Sequence, residues 1–224
     1  KDAKVYLGFQ ENIQKDDFRK ALETSRDQGT EISVEDYVQV HEAKKHDLFL
    51  IPHGTIHCSG KNGLVLEISS TPYIYTFKLY DWLRLDLDGQ PRPLNIERGM
   101  QNLNFDCKGD RVKADYISEP VLVSENEGNK LFSLPTHKKH FYEVFRYEFT
   151  DKIQVSNQGA CHILSLVEGD QIQVQTGNRL MDFHYAETFV IPAGAKEYTI
   201  VNTGNKKAKV IRANVKPNWE FDLE

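Results

Sequence analysis

Two copies of one short phrase constrain this chain more than any other feature. Phe49-Leu50-Ile51-Pro52-His53-Gly54-Thr55-Ile56-His57-Cys58 and Phe189-Val190-Ile191-Pro192-Ala193-Gly194-Ala195-Lys196-Glu197-Tyr198 match at a constant offset. Each runs an aromatic and two aliphatic residues into Pro, one further residue and Gly. Pro cannot donate to a strand ladder and Gly tolerates a tight turn, so each copy reads as strand, turn, strand. One structural unit used twice is the natural consequence. The copies differ in one telling place: His57 in the first stands where the second has Glu197. The imidazole falls where the chain turns back toward a second apolar run, Leu64-Val65-Leu66-Glu67-Ile68, expected as the returning strand. Such a position suits a group displayed near the mouth of a small β-barrel.

The rest of the pattern is β with a helical excursion near the start. Residues 1–10 read as a short strand. Between Gln14 and Arg26, Phe18, Ala21 and Leu22 recur at helical spacing behind Asp16 and Asp17, and Gly29 ends the helix. Ser33, with Asp36 three residues on, is placed to cap a second short helical turn. Tyr75 to Arg84 is rich in aromatic and apolar residues and reads as a strand with Lys78 facing away from Phe77 and Leu79. Residues 97–120 are polar and read as the connection between domains. From 121 to 216 short strands recur, among them Phe141–Phe149, Phe189–Pro192, Tyr198–Val201 and Val210–Val215. Ile163–Val167 and Ile172–Val174 flank a hairpin-type turn at Glu168-Gly169-Asp170. This rhythm is that of a sandwich or jelly roll.

A chain of 224 residues has room for two compact domains. Its net charge of −5 argues against a general nucleic-acid or membrane-surface binder, and no apolar segment is long enough to span a bilayer. Cys58, Cys107 and Cys161 are odd in number and widely spaced, so no disulfide framework is expected and a reducing, cytoplasmic setting is.

At this point the residues resemble a known family. Leu50 to His57, Leu66-Glu67-Ile68, Thr76 to Arg84 and Gly89-Gln90-Pro91-Arg92-Pro93-Leu94 are similar to the type I mannose-6-phosphate isomerases, the ManA-like class. Val121 to Val215 resembles that family's C-terminal cupin. The resemblance implies an all-β double cupin (jelly roll) with a small helical insertion near the N-terminus. Residues 1–47 would be that insertion and a remnant of the N-terminal region, 48–115 part of the first, catalytic-type cupin, and 116–224 the C-terminal cupin. The implied activity is a zinc-dependent aldose–ketose isomerisation of mannose 6-phosphate to fructose 6-phosphate through an enediol. The family holds zinc (Zn) with a Gln, two His and a Glu, and the last His maps to His57. The other three come from an upstream strand pair without counterpart here, which implies a chain lacking the N-terminal part of the catalytic domain. The expected partners are a small sugar phosphate and a second copy of the chain, with no nucleic acid and no membrane.

The candidate site follows residue by residue. His57 is the expected metal ligand, against a reading as a hydrogen-bonded turn histidine. Glu67 is a candidate catalytic carboxylate, against a solvated strand end. Lys78, expected to be both catalytic and substrate-binding, stands where the family has Arg, behind a stretch (Thr71 to Tyr75) that lacks the family's Asp. Lys keeps the charge but loses the bidentate fork. Arg84 is a substrate-binding candidate, though both Arg84 and Arg92 also read as ion-pair or loop residues able to meet a phosphate. Asn95 replaces a frequent His. His140, His162 and His184 lack paired spacing and read as ordinary barrel histidines of a metal-free domain. Two rivals accompany the isomerase reading: a non-catalytic sugar- or sugar-phosphate-binding cupin, and an inactive fragment of the isomerase.

Overall fold

The computed structural model describes residues 2–70 and 76–220. The chain divides into two units, Lys1–Ile117 and Ser118–Glu224. In the first, β1 (Lys4–Phe9) is followed by α1 (Lys15–Gln28), a 3-10 turn at Val34–Asp36, β2 (Val38–Glu42), β3 (Leu48–Phe49), β4 (His57–Ser59), α2 (Ile96–Asn102) and α3 (Asp110–Tyr116). The short strand β5 (Ile117–Ser118) leads out of it. β1 is the centre of a three-stranded antiparallel sheet, with β2 on one side and β4 on the other.

The interior of this unit turns on Gly8. In a regular strand Leu7 and Phe9 would share a face. Gly8 instead adopts φ +72°, and the register against β2 shifts between Tyr6 and Phe9. This bulge sends the two side chains to different cores, and both are fully buried. Leu7 joins Cys107, Val112 and Tyr116. Phe9 joins Phe18 and Leu22 of α1, Val38 of β2, and Ile96 and Met100 of α2, with Phe105 stacked on it at 4.7 Å. α1 ends as expected, with Gly29 in the left-handed conformation and its N–H on the Ser25 carbonyl.

Three expectations for the first unit need correction. Leu64 to Ile68 forms no strand, and Leu64 and Val65 are exposed at 83% and 62%. Thr76 to Arg84 is also not a strand, because Asp81 draws its neighbours into a tight turn with Trp82 and Leu83 at positive φ. Residues 97–120 are more than a connection: α2 and α3 lie there and supply apolar residues to both cores. Polar residues dominate these short helices, so their buried minority (Met100, Val112, Tyr116) escapes a composition argument.

The second unit is a jelly-roll sandwich. Its strands are β6 (Val121–Asn126), β7 (Asn129–Leu134), β8 (Tyr142–Phe149), β9 (Lys152–Ser156), β10 (His162–Glu168), β11 (Gln171–Thr176), β12 (Arg179–His184), β13 (Thr188–Ile191), β14 (Glu197–Asn202) and β15 (Ala208–Val215). They form a six-stranded sheet, β13-β10-β15-β8-β7-β6, and a four-stranded sheet, β12-β11-β14-β9. One core joins Tyr147, Phe149, Leu164, Leu166 and Val210 of the first sheet to Ile172, Val174, Tyr198 and Ile200 of the second. The turn at Glu168-Gly169-Asp170 is therefore not a hairpin. β10 pairs with β13 and β15 while β11 pairs with β12 and β14, so the turn carries the chain from one sheet to the other. Gly169, at φ +103°, makes this crossing where a Cβ would lie 3.2 Å from the Ala208 Cα.

The repeated phrase makes the same turn twice. The Thr55 N–H bonds the Pro52 carbonyl at 3.2 Å, and the Ala195 N–H bonds the Pro192 carbonyl at 3.0 Å. β4 begins at His57 and β14 at Glu197, the equivalent position.

His162 is buried between the sheets, with Nδ1 2.9 Å from the Tyr198 hydroxyl. Burial, helped by the nearby Arg212 charge, pulls its pKa down to about 4. The unfolded chain thus takes up a proton on this residue, near pH 6.5, before the native protein does, and stability from the neutral imidazole is lost as pH falls from about 6.5 toward 4. Urea unfolding at pH 6.5 and pH 5 is expected to lose roughly 1–2 kcal/mol more in the native protein than in His162→Gln. Independently, Gly8→Ala, whose Cβ would meet Val112 at 2.4 Å, is expected to cost roughly 2–3 kcal/mol. Gly29→Ala, in open space, is expected to cost about 1 kcal/mol in the same measurement.

Candidate functional site

The site is built on the loop from Thr76 to Asn95. Its aromatic residues anchor it: the Tyr80 hydroxyl accepts the Ile32 N–H at 3.2 Å, and the Trp82 ring packs against Tyr80 and Tyr6 at 5.2 and 6.2 Å. Leu79 presses so closely on α2 that a Cβ at Gly99 would lie 2.4 Å from it. Asn95 clamps the start of the loop, donating its N–H to the Lys78 carbonyl at 2.7 Å. Its side-chain oxygen accepts the Lys78 N–H at 3.4 Å. Asn95, met in the sequence only as a replaced histidine, holds the backbone of Lys78.

At the centre lies Asp81, 6% exposed. Its carboxylate takes Lys78 Nζ at 3.3 Å, Arg92 Nη1 at 3.0 Å and Arg84 Nη2 in a short hydrogen bond. The Arg84 N–H also bonds the Asp81 carbonyl at 3.0 Å. Trp82 and Leu83, at φ +50° and +54°, are non-glycine residues in a left-handed conformation, local strain that the hub over-determines. Burial alone would raise the pKa of Asp81, but hydrogen bonds and charge from Arg84 and Lys78 outweigh it and hold the carboxyl below its usual range. Three cations on one carboxylate leave two positive charges in excess, on side chains that reach solvent. That arrangement can take an anion, with the two guanidiniums suited to a phosphate.

The sequence candidates fall in different places. Lys78 and Arg84 meet on Asp81. Cys58 lies on the same side, since the charges of Arg84 and Asp81 both act on its thiol, and it pairs in register with Tyr6, on which Trp82 packs. His57 precedes Cys58 and pairs with Leu7, so strand alternation directs it to the opposite face of the β1–β4 ladder. It is exposed at the strand start, with Nδ1 3.0 Å from the Thr55 carbonyl. A carbonyl only accepts, so Nδ1 carries the proton of that bond; in the neutral ring this leaves the lone pair on Nε2, the orientation a ligating histidine needs. Glu67 is exposed in the irregular stretch after β4, and the Thr71 to Tyr75 segment lies outside the described residues.

His57 therefore fits one metal position. A catalytic zinc takes about three protein ligands, and among the described residues no group of three or more His, Cys, Asp or Glu could hold an ion. Asp81, which organises the cations, is not among the sequence candidates. Its signal was present as a lone acid inside an aromatic-apolar run with basic residues three positions to either side.

No protein-family model matches the chain. It is 22% identical over 159 residues to the mannose-6-phosphate isomerase ManA of Bacillus subtilis, covering 71% of this chain and 47% of the relative. It is 25% identical over 155 residues to the mannose-6-phosphate isomerase of Streptococcus mutans, covering 69% and 45%. The chain thus spans about half the length of these curated relatives. A crystal structure of the mannose 6-phosphate isomerase from Bacillus subtilis superposes with a TM-score of 0.69 at 17% identity, over 96% of this chain and 62% of that one. The fold is mostly β and is the cupin fold of that isomerase. Its sequence is similar to the mannose-6-phosphate isomerases over about 70% of its length. Among the described residues no helix is long and apolar enough to cross a membrane.

Removing the hub acid should expose its role. Asp81→Ala leaves three cations without their carboxylate and is expected to cost about 2 kcal/mol in urea unfolding at pH 7. Because the native pKa of Asp81 is depressed, its contribution is full above the ordinary carboxylate pKa and disappears as pH falls through the lower native value. The gap between native protein and variant should therefore close toward acid pH.

Proposed function

We propose that this chain serves the aldose–ketose isomerisation of a hexose phosphate, mannose 6-phosphate to fructose 6-phosphate. The observation that carries the reading is the similarity of about 70% of the chain to curated mannose-6-phosphate isomerases. The cations collected on Asp81 give it a chemical basis in this chain. The proton on C2 of the open aldose is acidic because it lies beside the C1 carbonyl. Its removal gives an enediolate, and return of a proton to C1, with the hydroxyl proton passing from O2 to O1, gives the ketose. Arg84, with Arg92 beside it, binds the phosphate, and Lys78 offsets the charge of the enediolate. Glu67 is assigned the proton-carrying carboxylate and His57 one metal position through Nε2. Zinc, when bound, supplies Lewis-acid polarisation of the sugar oxygens. The described residues provide one of its ligands, so no step is assigned through it here.

The test is calorimetric titration of mannose 6-phosphate into the chain, with fructose 6-phosphate production followed in parallel at added zinc. Binding should weaken about tenfold in Lys78→Met and in Arg84→Met, the cost of losing one charge-assisted contact. Turnover that is lost in Lys78→Met supports the isomerase reading. Binding without turnover supports the rival reading, a non-catalytic sugar-phosphate-binding cupin. Absence of binding overturns both.

A further inference from the structure

The second unit holds a cation that neither reading uses. Arg212 lies on β15, two residues beyond Val210, and so on the strand face that lines the interior. Register sets it beside Phe145 of β8 and Leu164 of β10. Its guanidinium stacks on the Phe145 ring at 4.1 Å and donates Nη1–H to the Tyr147 hydroxyl at 2.9 Å. Its Nε is sealed from solvent and meets no acceptor. Among the described residues no carboxylate comes within ion-pair distance of Arg212; Glu143, further along the same face, is held by Asn214 at 2.8 Å.

A partly buried guanidinium with a sealed, unpartnered Nε and no counter-charge is costly, and native proteins accept that cost mainly where the charge has work to do. Its surroundings do not supply a compensating anion. His162 is held neutral by burial, and Tyr147 and Tyr198 keep their protons, their pKa values raised by burial. Tyr147 accepts from Arg212, so its own O–H is left to donate. The residue as a whole is partly buried, and its Nε is sealed from solvent. Donors converge, an aromatic wall faces them, and the acceptor is missing.

We propose that the interior of the second cupin binds a small oxyanion, a phosphate or carboxylate group, on Arg212 and Tyr147. The anion takes the free guanidinium N–H groups and the Tyr147 O–H, and Phe145 packs against whatever carries it. This site is separate from the Asp81 cluster and stands whether or not that cluster binds a sugar phosphate.

Arginine Nε–H signals in proton–nitrogen correlation spectra of the full chain give a site-specific readout, with Arg212 assigned by the signal lost in Arg212→Lys. Titration with inorganic phosphate, and separately with acetate, should shift the Arg212 signal saturably. Phosphate alone identifies a phosphate group as the ligand chemistry, and acetate alone a carboxylate. Tyr147→Phe, which keeps the ring in the core, should weaken the effective anion about tenfold. Lys78→Met should leave the Arg212 titration unchanged, which separates this site from the proposed substrate site. If neither anion shifts the Arg212 signal, or if the shift persists at full affinity in Tyr147→Phe, the proposal is overturned.

Discussion

One backbone conformation governs the first unit: Gly8 at φ +72° in the middle of its central strand. A regular strand there would bury Leu7 and Phe9 on one side and leave the other side without its aromatic centre. The bulge gives each of them a core, and α1 and α2 pack on Phe9 while α3 packs on Leu7. The same strand pairs with β4 and so fixes which side of the ladder each β4 residue faces. Cys58 lies toward the cation loop and His57 away from it. β4 is the outer strand of its sheet among the described residues, so groups on the two faces are separated by the edge of a single strand.

Charge is organised in both units by one sheltered carboxylate that gathers several cations. In the first unit Asp81 holds Lys78, Arg84 and Arg92. In the second, Glu148 meets Arg146 at 2.9 Å, Lys207 at 3.4 Å and Lys209 at 3.8 Å. The two differ in balance. Glu168 shares Lys209 at 3.2 Å, which partly neutralises the second cluster, whereas among the described residues no further acid pairs with Lys78, Arg84 or Arg92. Arg212 is different again: it has aromatic and hydroxyl neighbours but no carboxylate among the described residues. Unbalanced positive charge therefore lies on the Asp81 loop of the first unit and on Arg212 inside the second.

How much of this was legible beforehand depends on the range of the interactions involved. The duplicated phrase around Pro52 and Pro192 announced two like turns, and both form with the same hydrogen bond, because a Pro-x-Gly turn is a local matter. The jelly-roll character of the second unit followed from strand alternation, and the helix at Lys15–Gln28 from its apolar spacing and Gly29. Leu64 to Ile68 and Thr76 to Arg84 misled because short apolar runs do not say what they pack against. In the second of these, the polar hub at Asp81 prevails over the β propensity of its aromatic neighbours. The Glu168–Asp170 turn looks like a hairpin locally, and only the pairing of distant strands makes it a crossing between sheets. Candidate residues were legible as types, Lys78 and Arg84 above all. Their common partner was not, since nothing local marks Asp81 as buried.

The central claim is that the cations collected on Asp81 are where a sugar phosphate docks. A crystal structure of the chain soaked with mannose 6-phosphate tests it most directly. The account predicts the phosphate within hydrogen-bond reach of the Arg84 and Arg92 guanidiniums, with the sugar extending toward Lys78. A phosphate bound elsewhere, with all three cations still closed on Asp81, would contradict it.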